Sequence, residues 1–172
     1  MEKWDLYDAS RRDLNRTHIR GEQIPEGCFR LVVHVCIFNA KGQMLIQKRQ
    51  KNKSGWPDLW DLSVGGHVQS GETTQMAAER ETLEELGLEI HLQGQRPAVT
   101  PTFPNGFDDM YTLVQEVDIE DLVLQTEEVQ EVRWASLEEV MELIDTKKFI
   151  PYHKSLIELL FFLSTNSEAH TE

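Results

Sequence analysis

The stretch Gly66 to Leu88, GHVQSGETTQMAAERETLEELGL, sets Gly66, Glu72, Arg80, Glu81, Glu84, Glu85 and Gly87 at fixed intervals. Most of it reads as one helix, from about Thr73 to Leu86, with Gly87 as a left-handed terminus. At about 100° per residue, Glu84 and Glu85 fall on either side of Glu81, so three carboxylates share one face. Like charges three and four residues apart repel, so an exposed helix gains nothing from such crowding. A multivalent cation between the acids removes that objection. Met76, Leu83 and Leu86 gather roughly opposite, where they are expected to pack on a sheet. The acid face suits Mg²⁺ or Mn²⁺, which prefer oxygen ligands and keep waters and phosphate oxygens in the shell.

Around this helix, strands and further helices alternate without a linker, a repeat or a low-complexity segment. FRLVVHVCIF, Phe29 to Phe38, is apolar on both alternations and reads as a central strand covered on both faces. Asn39 to Gly42 is a turn, and Gln43 to Arg49 returns as an antiparallel partner. Gln50 to Asp58 is a polar loop with Trp56-Pro57, and Leu59 to Val64 a short strand ending at Gly65-Gly66. Strand-like segments follow near Glu89–Leu92, Ala98–Phe103 and Met110–Val117, with Asn105-Gly106 as a hairpin turn. After a short strand at Gln130–Trp134, Ser136 caps a helix through about Ile144, Glu139 completing a capping box. A last helix spans His153 to Leu163 and is apolar almost all round, which implies burial in the domain or a dimer interface. One domain is expected over residues 1–163, with 164–172 as a disordered tail.

Thirty acidic against seventeen basic side chains leave a formal charge of −13, which opposes binding of long nucleic acid. A single nucleotide held through a metal remains open. The first residues, MEKWDLYDASRRD, lack the apolar core of a secretory signal, and Leu159 to Leu163 is too short to cross a bilayer. A cytoplasmic protein with Cys28 and Cys36 as buried reduced thiols is expected.

The helical stretch resembles the Nudix box, G-x5-E-x7-R-E-U-x-E-E-x-G-U with U a bulky apolar residue. Gly66, Glu72, Arg80, Glu81, Glu84, Glu85, Gly87 and Leu88 match, and Thr82 at the first U position is the loose fit. The resemblance implies an α/β (α+β) fold, a curved mixed sheet sandwiched between helices, and metal-dependent cleavage of a small-molecule diphosphate. It implies Glu84 and Glu85 as metal ligands, and Glu81 as either a ligand or the general base. Glu72 and Arg80 are implied to orient the carboxylates, and the Gly66 carbonyl to add a ligand. Such chemistry needs charge neutralisation on phosphate, an activated water and in-line geometry.

Outside the box, Lys48, Arg49, Lys51 and Lys53 form the densest basic patch, with Arg49 the candidate for substrate phosphate. Asp109, Glu116, Glu127 and Glu128 lie where an extra base or ligand could arise, and Trp56, Phe103, Phe107 and Tyr111 could stack on a base. Trp134 and His34 read as core residues. The substrate class favoured is a nucleoside diphosphate derivative (nucleotide or nucleotide sugar), with RNA 5′-end processing the weaker choice.

Residues 4–90 also resemble the branch of Nudix proteins related to type I isopentenyl diphosphate isomerase, through FNAKGQMLIQKR and WPDLWDLSVGGHVQSGE. That raises a metal-assisted proton shift as a rival reaction. His18 and His67 match two metal-binding histidines of those enzymes, but Arg30 stands at the third and Gly65 at the catalytic Cys. Near Phe107–Asp109, where their catalytic Glu-x-Glu aligns, no Glu occurs. A non-catalytic nucleotide sensor is a third reading, opposed by an intact set of box carboxylates.

Overall fold

A computed structural model describes residues 1–166 and His170. Its centre is β3 (Arg30–Phe38), which follows a hairpin of β1 (Lys3–Tyr7) and β2 (Asp13–Ile19). Beyond it come β4 (Met44–Arg49), β5 (Trp60–Asp61), β6 (Val64–His67) and α1 (Thr74–Leu86). Strands β7 (Thr102–Phe103), β8 (Gly106–Val114) and β9 (Val129–Ala135) precede helices α2 (Leu137–Asp145) and α3 (Lys154–Leu163).

β3 pairs in parallel with β8 along its whole length, Arg30 opposite Gly106 through Phe38 opposite Val114. On its other edge β6 pairs antiparallel, Val32 opposite His67 through Val35 opposite Val64. β4 meets β3 only at Phe38 opposite Met44 and then diverges to pair with β9 and β5. The long antiparallel partner expected for β3 is therefore not formed by β4, and β6 takes most of that edge. Side chains alternate along β3 as period two demands. Val33, Val35 and Ile37 face a core closed by Ala77, Ala78 and Leu86 of α1, while Cys36 and Phe38 face Val140, Ile157 and Leu160 of α2 and α3. Helices thus cover both faces of one mixed sheet. Truncating a fully buried residue such as Ile37 to Ala would cost about 2–5 kcal/mol.

The ends of α1 match their sequence signals. Thr73 accepts from the Met76 amide at 3.2 Å, and Gly87 closes the helix at φ 65° with its N–H on Leu83 O. Its packing face does not match. Met76 and Leu83 are 51% and 49% exposed, while Ala77, Ala78, Thr82 and Leu86 are fully buried. The helix seats on the sheet through its smallest side chains, and the Thr82 hydroxyl donates to Ala78 O at 2.7 Å, so burial leaves no orphan.

Other expectations shift as well. Gly65 and Gly66 lie inside β6 and do not end a strand, because neighbouring side chains lie against them. Residues 89–92 form no strand, and 98–101 contribute only an isolated bridge between Val99 and Met110. The β1–β2 hairpin was not expected, and it is bound to the body through Tyr7 and Phe29 at 2.8 and 2.9 Å. The capping box of Ser136 and Glu139 is present on α2. α3 is buried on one side only, with Leu159 and Phe162 exposed. Cys28 and Cys36 are free and buried. Of the tail expected from 164, Ser164 and Thr165 still bond back to Leu160 and Phe162. Residues 167–169, 171 and 172 lie outside the described residues.

Candidate active site

A cavity of about 680 Å³ opens between α1, the sheet and the N-terminal hairpin. Glu81, Glu84 and Glu85 all line it, on one wall. Arg80 organises that wall. Its Nε and Nη2 donate to the two oxygens of Glu72 at 2.7 and 2.9 Å, and its Nη1 to Glu81 at 2.8 Å and Glu84 at 3.1 Å. Nη2 also reaches the His67 carbonyl at 3.0 Å, which ties helix to strand. These bonds push the Arg80 guanidinium up, Glu72 contributing most. Burial works to raise the Glu72 carboxyl, but Arg80 and the Gln69 amide outweigh it and hold it low.

The other acids are less well compensated. Burial pushes Glu81 up despite Arg80. Glu85 is only 6% exposed, and its carboxylate accepts from the neutral Gln47 amide at 2.9 Å. Burial drives its carboxyl up to about 8, with Gln47 pulling the other way and Glu81 adding to the rise. Gly66 has a steric reason to be glycine: a Cβ there would fall 2.2–2.4 Å from the Glu81 carboxyl group. The group that approaches this glycine is Glu81 itself.

Among the described residues no three His, Cys, Asp or Glu side chains already converge as a coordination shell. Arg80 holds Glu81 and Glu84, and Glu85 turns to Gln47. The donors nevertheless fit a hard cation. All are carboxylate oxygens, and a buried acid with a neutral partner lacks the positive charge that a divalent ion would bring.

The facing wall is built from β3, β5, β8 and the segment before α3. His34 Nδ1 lies 2.8 and 2.9 Å from the Asp108 oxygens, and its Nε2 3.2 Å from Tyr152 Oη. Tyr152 donates to Asp61 at 3.0 Å, and Arg49 Nη1 reaches the other Asp61 oxygen at 3.3 Å. Burial alone would lower the His34 pKa, but Asp108 reverses it to about 9, so both ring nitrogens carry protons. His34 is a satisfied interior histidine, as its strand position suggests, yet it also lines the cavity. Its ring fills the space beside Gly65, where a Cβ would come within 2.8 Å of it.

Arg49 does line the cavity, already bonded to Asp61 and to Gly55 O. Lys53 also lines it but pairs with Glu128, and Lys48 pairs with Asp58 at 3.4 Å. Asp109 is buried against Arg11 and Thr100, and Glu116 bonds the Ala40 amide, so neither faces this cavity. Trp56 (52% exposed) and Phe103 line it. Tyr111 is buried and bonded to Thr74, while Phe107 and Trp134 pack on the core.

A third side comes from Glu2 and Arg20 at the ends of the hairpin, Arg30 of β3 and His67 of β6. Trp4 stacks on His67 with ring centres 4.5 Å apart and planes 6° apart, and lies 6.1 Å from His18. The Arg30 guanidinium sits 5.1 Å from the Trp4 ring and 5.1 Å from the Phe103 ring. Burial takes the His67 imidazole down to about 4, with Arg30 and Arg20 adding to the effect. The positions that resemble the isomerase metal set, His18, Arg30 and His67, therefore gather around the Trp4 indole. Tyr152, Asp61 and Trp4 carried no sequence signal as site residues. His34 read as a core residue and Arg30 only as the position of the third isomerase histidine, although a charged or titratable group inside an apolar strand is the signal that could have found both.

Known proteins resemble this arrangement. The sequence profile of the NUDIX domain matches residues 29–160. A Nudix hydrolase of Listeria monocytogenes is 48% identical over 170 residues, 99% of either chain. An isopentenyl-diphosphate Delta-isomerase of Citrobacter koseri is 35% identical over 111 residues, covering 62% of this chain and 61% of that one. A crystal structure of a Deinococcus radiodurans protein superposes with a TM-score of 0.73 at 26% identity, over 92% of this chain and 97% of that one. With the box residues gathered on one cavity wall and the profile spanning most of the chain, this protein belongs to the Nudix family of hydrolases.

Proposed function

We propose that the protein hydrolyses the diphosphate linkage of a nucleoside diphosphate derivative, a nucleotide or nucleotide sugar, with Mg²⁺ or Mn²⁺. The observation that carries this reading is Glu85, a buried carboxylate beside Glu81 and Glu84 on a cavity wall, partnered by a neutral amide. Glu84 and Glu85 would hold the ion, with Glu81 either a third ligand or the general base, and the ion would supply charge neutralisation and a more acidic water. Arg80, fixed by both Glu72 oxygens, positions Glu81 and Glu84 and limits their mutual repulsion. Burial gives Glu81 a raised proton affinity, which suits a base accepting a proton from the attacking water. Arg49 and Lys53, on the opposite side, would meet substrate phosphate, and Trp56 offers an exposed ring to a base. Residues 2 to 152 contribute to this one cavity, which supports a single catalytic unit. Among the described residues no helix is long and apolar enough to cross a membrane, in keeping with a cytoplasmic enzyme.

The test is a panel of nucleotides, nucleotide sugars, dinucleoside polyphosphates and isoprenoid diphosphates, assayed for phosphate release with Mg²⁺, Mn²⁺ and excess chelator. Cleavage of nucleoside derivatives that chelator abolishes is expected. Cleavage confined to isoprenoid diphosphates, or undiminished in chelator, contradicts the reading.

The identity to the Citrobacter koseri isomerase favours a second reading, proton transfer in an allylic diphosphate. Gly65 offers no side chain to move that proton, and the His34 ring occupies the adjoining space. Isopentenyl diphosphate with protein and metal should give no dimethylallyl diphosphate by NMR.

A further inference from the structure

Most cations lining the cavity are already neutralised. Arg80 pairs with Glu72, Glu81 and Glu84, Arg49 with Asp61, Lys53 with Glu128, Arg20 with Glu2, and His34 with Asp108. Arg30 differs. It lines the same cavity, yet no ion pair joins it to any acid among the described residues. Its Nε is buried without a hydrogen-bond partner, the sole such side-chain atom among the described residues. Folded proteins rarely leave a buried donor orphaned, so this one marks a missing acceptor.

The guanidinium is nonetheless held in place. The Trp4 and Phe103 rings, each 5.1 Å away, support its charge without using its N–H groups. Phe103 is set by Gly106, where a Cβ would fall 2.5 Å from the Phe103 ring and 2.4 Å from Arg30 O. Trp4 is set by its stack on His67 and by its indole N–H, which donates to Glu2 at 2.8 Å. A chain of contacts runs from the acid wall to this cation: Arg80 to the His67 carbonyl, the His67 ring to Trp4, Trp4 to Arg30. The acid wall thus holds more carboxylates than cations, while Arg30 is a cation paired with no acid among the described residues.

We propose that Arg30 is the receptor for a substrate phosphoryl group other than the one held at the acid wall, and that Trp4 of the N-terminal hairpin completes it. A guanidinium fork matches phosphoryl oxygens, and a diphosphate has two phosphoryl groups to divide between metal and arginine. The proposal rests on the diphosphate reading above. It makes the hairpin, which precedes the matched NUDIX domain, a working part of the substrate site.

The test is calorimetric titration of the full chain with inorganic pyrophosphate, in chelator and in Mg²⁺, using wild type, Arg30→Gln and Arg30→Lys. At least tenfold weaker binding is expected for R30Q at an unchanged melting temperature, with part of the affinity restored in R30K. In wild type, the Arg30 Nε–H NMR resonance, identified by its loss in R30K, should move when pyrophosphate is added. That measurement decides the matter even where R30Q does not fold. Equal pyrophosphate affinity in R30Q, an unmoved resonance, or no binding to wild type in either condition overturns the proposal. None of these readouts requires turnover. A chain that binds pyrophosphate through Arg30 but cleaves nothing keeps this site and loses the hydrolase reading. A working hydrolase with an indifferent Arg30 does the reverse.

Discussion

The two long walls of the cavity are both rich in ionisable side chains, and they handle charge in opposite ways. On the sheet wall each charge meets an opposite one: Asp108 with His34, and Asp61 with Arg49, Tyr152 bridging between them. On the helix wall Glu72, Glu81 and Glu84 share the single cation Arg80, and Glu85 has only the neutral Gln47 amide. A closed network in a low dielectric holds a shape, because removing any member strands its partner. An open one costs stability until a ligand closes it. The sheet wall is thus scaffold, and the helix wall is where the proposed hydrolysis would take place.

The sharpest way to break that contrast is to remove one charge from either wall. Asp108→Asn should destabilise by about 3 kcal/mol, since it strands the buried His34 cation, and lower Tm by roughly 10 °C. Thermal melts at pH 6.5 read this directly. The His34 pKa stands near 9, above its ordinary value, so the stability it contributes is complete below about 6.5 and is lost as pH rises through 9. Asp108 faces it from β8, Asp61 from β5 and Glu85 from α1, so the slope should be compared between wild type and D108N. An identical slope in the variant would remove His34 as its source.

Glu85→Gln should do the opposite to stability. Without metal it relieves a buried, poorly compensated charge, so Tm at pH 8 should rise. With Mg²⁺ the same change, or Glu84→Gln, should lower kcat by 10² or more, about 2.7 kcal/mol of barrier. A variant that is both less stable and fully active would invert the roles assigned to the walls. Gly65→Cys supplies the side chain of the isomerase-like position, but its Cβ meets the His34 ring. It should cost about 1–3 kcal/mol of stability and yield no isomerase activity. The smallest effect is expected at Arg49→Ala, where KM should rise several-fold with little change in kcat, as the loss of uniform binding proposed for this residue would give. An unmoved KM would leave Arg49 as part of the sheet wall alone.

The helix wall was legible in the sequence because its logic is local: one helix, fixed spacing, one glycine terminus. The two cores and the central strand were equally legible from β3, whose apolar alternation survives in Val33, Val35, Ile37, Cys36 and Phe38. What faced the site from elsewhere was not. Tyr152 reaches His34 across 118 residues of sequence and Asp61 across 91, and no periodicity announces such a meeting. The seating of α1 on Ala77 and Ala78 was misread because large apolar residues were weighted over small ones, although close helix–sheet approach favours the small. The glycines of β6 read as a strand end because their partners, His34 and Glu81, are contributed by other elements.

Water attack at phosphorus is the step that separates hydrolysis from isomerisation and from mere binding. Turnover in ¹⁸O-water with Mg²⁺, followed by ³¹P NMR of the products, reads it directly. The expected result is cleavage of a nucleoside diphosphate derivative with one ¹⁸O in a single phosphate product, abolished in Glu85→Gln. Intact diphosphate with a rearranged carbon chain, or phosphate products free of label, would contradict it.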